Sequence, residues 1–193
     1  LQHRSTEIAR RLGAATTTGS KVDGSAATGI LSITGNGAAL DGTKASLGDI
    51  LIGGTAADTI ISGKNSSVLT GNAGNDTFNV QAAVAGATTP ITTVTDFTKG
   101  DKLQVNAAAV ILEKVDLSGL AAGKTDAEVI TALATAASTA VNDVAWGTYN
   151  GNTYVFNEVA GPGAITATDI AVKLTGTLDL STSSIAAGLV TFA

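Results

Sequence analysis

KASLGDILI (44–52), GGTAADTII (53–61), SGKNSSVLT (62–70) and GNAGNDTFN (71–79) are consecutive nine-residue blocks that share one register. The eighth position of each is large and apolar: Leu51, Ile60, Leu69 and Phe78. The sixth is Asp49, Asp58, Ser67 and Asp76. The pattern describes a glycine-rich turn, a carboxylate, and then a short strand with one inward side chain. Such a unit cannot bury its apolar residue alone, but stacked copies can. If each block makes half a coil, alternate blocks share a side. Asp58 and Asp76 then sit in neighbouring coils on one edge, and Asp49 and Ser67 sit on the other.

Between stacked turns lies a gap lined by carboxylates and main-chain carbonyls. Calcium takes six to eight oxygens at about 2.3–2.6 Å and tolerates irregular geometry. Glycines let a turn adopt positive φ and aim its carbonyls at an ion. Without the ion, stacked carboxylates repel, so folding is expected to couple to calcium binding.

These blocks resemble the repeats-in-toxin (RTX) pattern G-G-x-G-x-D-x-(apolar)-x. GNAGNDTFN is the nearest copy, with Asn72 in place of the second glycine. GGTAADTII carries Ala56 where glycine is usual, SGKNSSVLT lacks the aspartate, and KASLGDILI lacks most of the glycines. The resemblance implies a calcium-binding parallel β-roll. It implies Asp58 and Asp76 as carboxylate ligands, completed by the carbonyls of Gly54, Ala56, Asn72 and Gly74, with weaker sites near Asp49. The segment VTDFTKGDKL (94–103) is similar to one that often ends such rolls. There Asp96 and Asp101 flank a turn, and either serve a calcium or cap turn N–H groups.

Outward from the repeat, residues 1–20 read as a tail or linker remnant, with a short helix expected from Ser5 to about Leu12, stopped by Gly13. The roll is expected over 21–85 and a β-rich C-terminal domain over 86–193, with the boundary near residues 81–90. Thr125-Asp126-Ala127-Glu128 is a capping box, and Val129, Ile130, Leu133, Ala137 and Val141 follow at helical spacing. A helix is therefore expected at about 125–142. Asn150-Gly151 predicts a type I′ hairpin, and AITATDIAVKLTGTLDLS (164–181) predicts one or two further strands. The fold class is thus mainly β with one helix.

Composition narrows the function. Charged residues make up 14 % and the net charge is −5. Nucleic-acid binding needs a concentrated basic surface, so no nucleic-acid partner is expected. The 44 % hydrophobic share is largely alanine, and aromatics are 4 %, which suits a thin core. There is no cysteine, hence no disulfide or thiolate site. An extracellular chain without disulfides needs another staple, and bound metal is one. No run of 18 apolar residues exists, so no transmembrane segment is expected. The lone histidine, His3, supports neither a Ser/His/Asp triad nor a zinc motif, and no enzymatic activity is expected.

Three further segments extend the resemblance. VDGSAATGILSITG (22–35), NGNTYVFNEV (150–159) and DIAVKLTGTLDL (169–180) are similar to surface-layer (S-layer) and related proteins exported by type I machinery. That resemblance implies a secreted structural module of a Gram-negative cell surface, with other copies of itself and the type I secretion machinery as partners. The end, LVTFA (189–193), resembles the terminal signals of such substrates, and a surface strand accounts for it equally. On that reading, deleting the last ten residues abolishes export and spares folding. The alternative is the secretion and folding module of an exported protease or lipase, or of an adhesin or biofilm-matrix protein.

Overall fold

The structure is a computed structural model that describes residues 8–11, 21–34, 48–63, 66–80, 90–109, 111–136, 141–159, 165–166 and 168–193. It is mainly β, with parallel sheets and one helix. The strands are β1 (Ile8–Arg11), β2 (Lys21–Asp23), β3 (Leu31–Thr34), β4 (Ile50–Ile52), β5 (Thr59–Ile61), β6 (Val68–Thr70), β7 (Thr77–Asn79) and β8 (Ile91–Val94). They continue with β9 (Lys102–Gln104), β10 (Ile111–Lys114), helix α1 (Asp126–Ala136), β11 (Asp143–Tyr149), β12 (Asn152–Asn157), β13 (Ile170–Thr175), β14 (Ser184–Ala186) and β15 (Leu189–Thr191).

The nine-residue period sets the strands. β4 to β7 begin at residues 50, 59, 68 and 77, each three residues long. Their central residues, Leu51, Ile60, Leu69 and Phe78, are all 0 % exposed. Burying each such side chain stabilises the fold by about 1.5–3 kcal/mol. Successive blocks alternate between two sheets. One runs β1-β3-β5-β7-β9-β15-β14 and the other β10-β11-β12-β13-β8-β6-β4-β2. Pairing is parallel from β1 through β9 in the first and from β2 through β8 in the second. Ile60 lies beside Phe78, and Leu51 beside Leu69.

Both sheets include strands from either side of the expected boundary at 81–90. β8 pairs with β6 on one flank and β13 on the other, and β9 joins β7 to β15. The main core lies between the sheets and takes in Leu51, Ile60, Leu69, Phe78, Leu103, Trp146 and Val172. Phe97 sits 5.8 Å from Phe192 in a stacked pair and 6.0 Å from Phe78 in a tilted one.

A second cluster sits on the far face of the larger sheet. Val129, Ile130 and Leu133 of α1 pack there on Ala145, Tyr154, Phe156 and Ala171. The capping box forms: Thr125 Oγ1 accepts the Glu128 N–H at 3.3 Å, and Glu128 Oε2 accepts the Thr125 N–H at 2.9 Å. Lys173 Nζ and Tyr154 Oη both donate to Asp126, tying the start of the helix to the sheet. The β11–β12 hairpin turns at Asn150 (φ 45°) and Gly151 (φ 78°), as its sequence predicts.

Three expectations change. Ile8–Arg11 is a strand paired in parallel with β3, where a short helix was expected. The exposed N–H and C=O groups of an edge strand are a stronger local partner than a single turn of helix. The helix runs from Asp126 to Ala136; residues 137–140 lie outside the described residues, and Val141–Asn142 form a turn with Asn142 at φ 71°. The C-terminal end is a strand, as one reading expected, but not one confined to the surface: β15 lies between β9 and β14, with Leu189 and Thr191 half-buried and Val190 1 % exposed. Phe192 is buried against Phe97, so deleting this end would also cost stability. No helix among the described residues is long and apolar enough to cross a membrane. His3 lies outside the described residues.

Candidate metal centre

One edge of the parallel stack gathers the turns that lead from the larger sheet to the smaller. Residues 53–58 follow β4, residues 71–76 follow β6, and residues 95–101 follow β8. The ladder brings Asp58, Asp76 and Asp101 to equivalent positions, because Thr59 pairs with Thr77 and Thr77 with Lys102. Each carboxylate reaches back to the preceding strand of the same sheet or the residue that leads into it. Asp58 Oδ1 accepts the Leu31 N–H at 2.7 Å, Asp76 Oδ1 accepts the Asp58 N–H at 2.8 Å, and Asp101 Oδ1 accepts the Asp76 N–H at 2.8 Å. Leu31 occupies the equivalent position on β3, so the acidic row starts at Asp58.

All three are buried, at 2 %, 1 % and 2 % exposure. No lysine or arginine forms an ion pair with any of them, or with Asp96, among the described residues. Burial pushes the Asp76 carboxyl up to about 6, and the neighbouring carboxylates of Asp101, Asp58 and Asp96 add to the push against one bond from the Asp58 N–H. Asp76 Oδ2 lies against Gly71, at a spot that a side chain there would fill, and accepts no hydrogen bond among the described residues. The other carboxylates are engaged. Asp58 Oδ2 accepts from Gly54 N–H, Asp101 Oδ2 from Thr98 N–H, and Asp96 from Gly71 and Asn72 N–H. Asp96 and Asp101 thus cap turn N–H groups.

The carbonyl donors suggested by the repeat line the same edge. Asn72 and Gly74 take positive φ, 68° and 129°. A side chain on Gly74 would collide with the Ala56 carbonyl at 2.5 Å, so neighbouring turns approach closely there. The Gly54 carbonyl accepts the Ala73 N–H at 3.3 Å, and the Asn72 amide donates to the Gly53 carbonyl at 2.7 Å. A carbonyl has two lone pairs, so one such bond leaves a further acceptor position.

The opposite edge holds fewer acids. Asp49 and Ser67 are neighbours there, with the Asp49 N–H 3.4 Å from Ser67 Oγ. Both are buried, and each makes further polar contacts. Among the described residues no group of three or more His, Cys, Asp or Glu gathers as a metal cage. A surface groove lined by Leu117, Leu120, Tyr149 and Asn150 carries no charged side chain. Buried acids away from the repeat escaped the sequence reading, among them Asp143, at the start of β11, which is 5 % exposed and whose Oδ2 has no partner. Only its placement on a buried strand reveals it, since nothing periodic marks it. No family model matches the chain, and no curated protein matches it.

Proposed function

We propose that the parallel stack is a calcium-binding β-roll of RTX type, serving as a structural module of a secreted surface protein. The observation that carries this reading is the buried row Asp58–Asp76–Asp101, in which no lysine or arginine pairs with any of the three carboxylates among the described residues. A buried charge needs a partner, and a parallel stack that twice sets acid next to acid, Asp58 by Asp76 and Asp76 by Asp101, supports an ion as that partner. The residues fit a hard cation. Asp76 Oδ2 accepts no hydrogen bond among the described residues, carbonyls of the neighbouring turns lie on the same edge, and the Gly71 cradle has no side chain to fill it. Asp58 and Asp76 would hold the ion with carbonyls of Gly54, Ala56, Asn72 and Gly74. Calcium would supply the positive charge that lets stacked turns close.

Extracellular modules bind calcium at about 0.1–1 mM. Such a chain stays loose at low calcium and folds outside the cell. Assembly into an S-layer array, with other copies as partners, is the function favoured. Electron microscopy of the purified chain tests it. Ordered two-dimensional sheets that appear with calcium and dissolve in EGTA support the array; a calcium-loaded chain that stays monomeric at high concentration refutes it.

A further inference from the structure

A second group of acids lies away from the repeat, at the end of β11 and β12 opposite their hairpin. Val144 pairs with Asn157, and Asn157 with Ile170. The next cross-strand row is therefore Asp143, Glu158 and Asp169. They are 5 %, 5 % and 1 % exposed. Like charges at facing positions destabilise a sheet, so each acid has to be accounted for. Asp169 is held by its own turn: Oδ1 accepts the Val159 N–H at 2.8 Å, and Oδ2 accepts the Thr166 N–H at 2.6 Å. Glu158 makes polar contacts of its own.

Asp143 is different. No N–H or O–H reaches its Oδ2, which is fully buried. None of the ion pairs among the described residues includes it. The backbone sets it in place through a bulge. The Asn142 N–H donates to the Glu158 carbonyl at 2.7 Å, while the Glu158 N–H donates to the Asp143 carbonyl at 3.1 Å. Two residues of one strand thus oppose one of the other, with Asn142 in the left-handed region at φ 71°. Bulges re-aim side chains and recur beside functional sites. Here the bulge places Asp143, whose Oδ2 has no donor, at the cross-strand position opposite Glu158, a second buried acid. Burying an unpartnered charge is costly, and carboxylate oxygens are the donor chemistry of a hard cation.

We propose that Asp143 and Glu158 form the protein half of a second calcium-class cation site, independent of the nonapeptide edge. Main-chain carbonyls and water would complete its oxygen shell. The site would pin the open end of the β11–β12 hairpin. It rests on none of the repeat's residues.

The chain's only tryptophan makes the test specific. Trp146 stands three residues along β11 from Asp143, about 10 Å at the rise of a strand. Terbium, a calcium mimic, is titrated into the full chain, and its luminescence is excited through the indole alone. The expected result is saturable emission that calcium displaces. Asp143→Asn is expected to weaken terbium at least tenfold, while Asp76→Ala leaves this signal unchanged. Thermal melting in EDTA is the second readout. Asp143→Asn, which removes an unpartnered buried charge, is expected to melt at or above the wild type. Absent sensitised emission in the wild type, unchanged affinity in Asp143→Asn, or a lower melting temperature of that variant in EDTA each overturns the proposal.

Discussion

Asp76→Asn is expected to act in opposite directions with and without calcium. The asparagine keeps an Oδ1 to accept the Asp58 N–H but carries no charge. In the metal-free chain the Asp76 carboxyl lies at about 6 rather than 3.8, because it is buried and faces Asp101, Asp58 and Asp96. A raised carboxyl favours the folded state below the unfolded value. That advantage is lost as pH rises through the folded value. Metal-free wild type should therefore be most stable below about pH 4 and weaken as pH rises through about 6. The charged form at neutral pH costs on the order of 2 kcal/mol, at about 1.4 kcal/mol per tenfold change and discounted for solvent screening. Asp76→Asn removes that cost, so in EGTA at neutral pH it should unfold at higher urea than wild type, and the two curves should converge in acid. In saturating calcium the order should reverse, because the variant has lost the carboxylate proposed to hold the ion. Urea titrations followed by the fluorescence of buried Trp146 read both arms. Equal metal-free stability across the whole pH range would refute the electrostatic reasoning.

Other expectations follow from the packing. Phe192→Ala should cost about 3–5 kcal/mol, since the ring is buried and stacks on Phe97; a thermal melt within a degree of wild type would place the ring outside the core. Thr125→Ala should destabilise by about 1 kcal/mol through loss of the N-cap, measured by chemical denaturation. The Glu128 carboxyl is held at about 2 by Lys124 and by the Thr125 N–H and hydroxyl. Its contribution is present above about 4.5 and lost as pH falls through about 2, an acid dependence that Glu128→Gln should abolish. Gly151→Ala should cost about 1–2 kcal/mol from backbone strain alone, because φ is 78° and nothing lies within 4 Å of the added methyl; the same change at Gly119, which is equally open and has no positive φ, should cost less.

The repeat was legible because its signal is periodic. One buried residue every nine positions located β4 to β7, and the 18-residue spacing of Asp58 and Asp76 placed them next to each other on neighbouring parallel strands. The Asn150-Gly151 hairpin and the start of the helix were legible because turn and cap chemistry are local. What stayed hidden depends on long-range pairing. Ile8–Arg11 carries a local helix signal, yet an open strand edge captures it. VTDFTKGDKL reads as two strands about a turn, but not that β8 and β9 join different sheets. The burial of Val190 and Phe192 depends on β9 and Phe97, almost a hundred residues upstream. Asp143 looks like any turn aspartate until β10 and β12 lie beside it.

Far-ultraviolet circular dichroism during removal and return of calcium, with metal analysis of the same samples, tests the central claim most directly. The account predicts that the purified chain contains calcium, that its β signal collapses when EGTA strips the metal, and that calcium restores it while magnesium does not. A β signal that persists in a chain shown to hold no metal would contradict it.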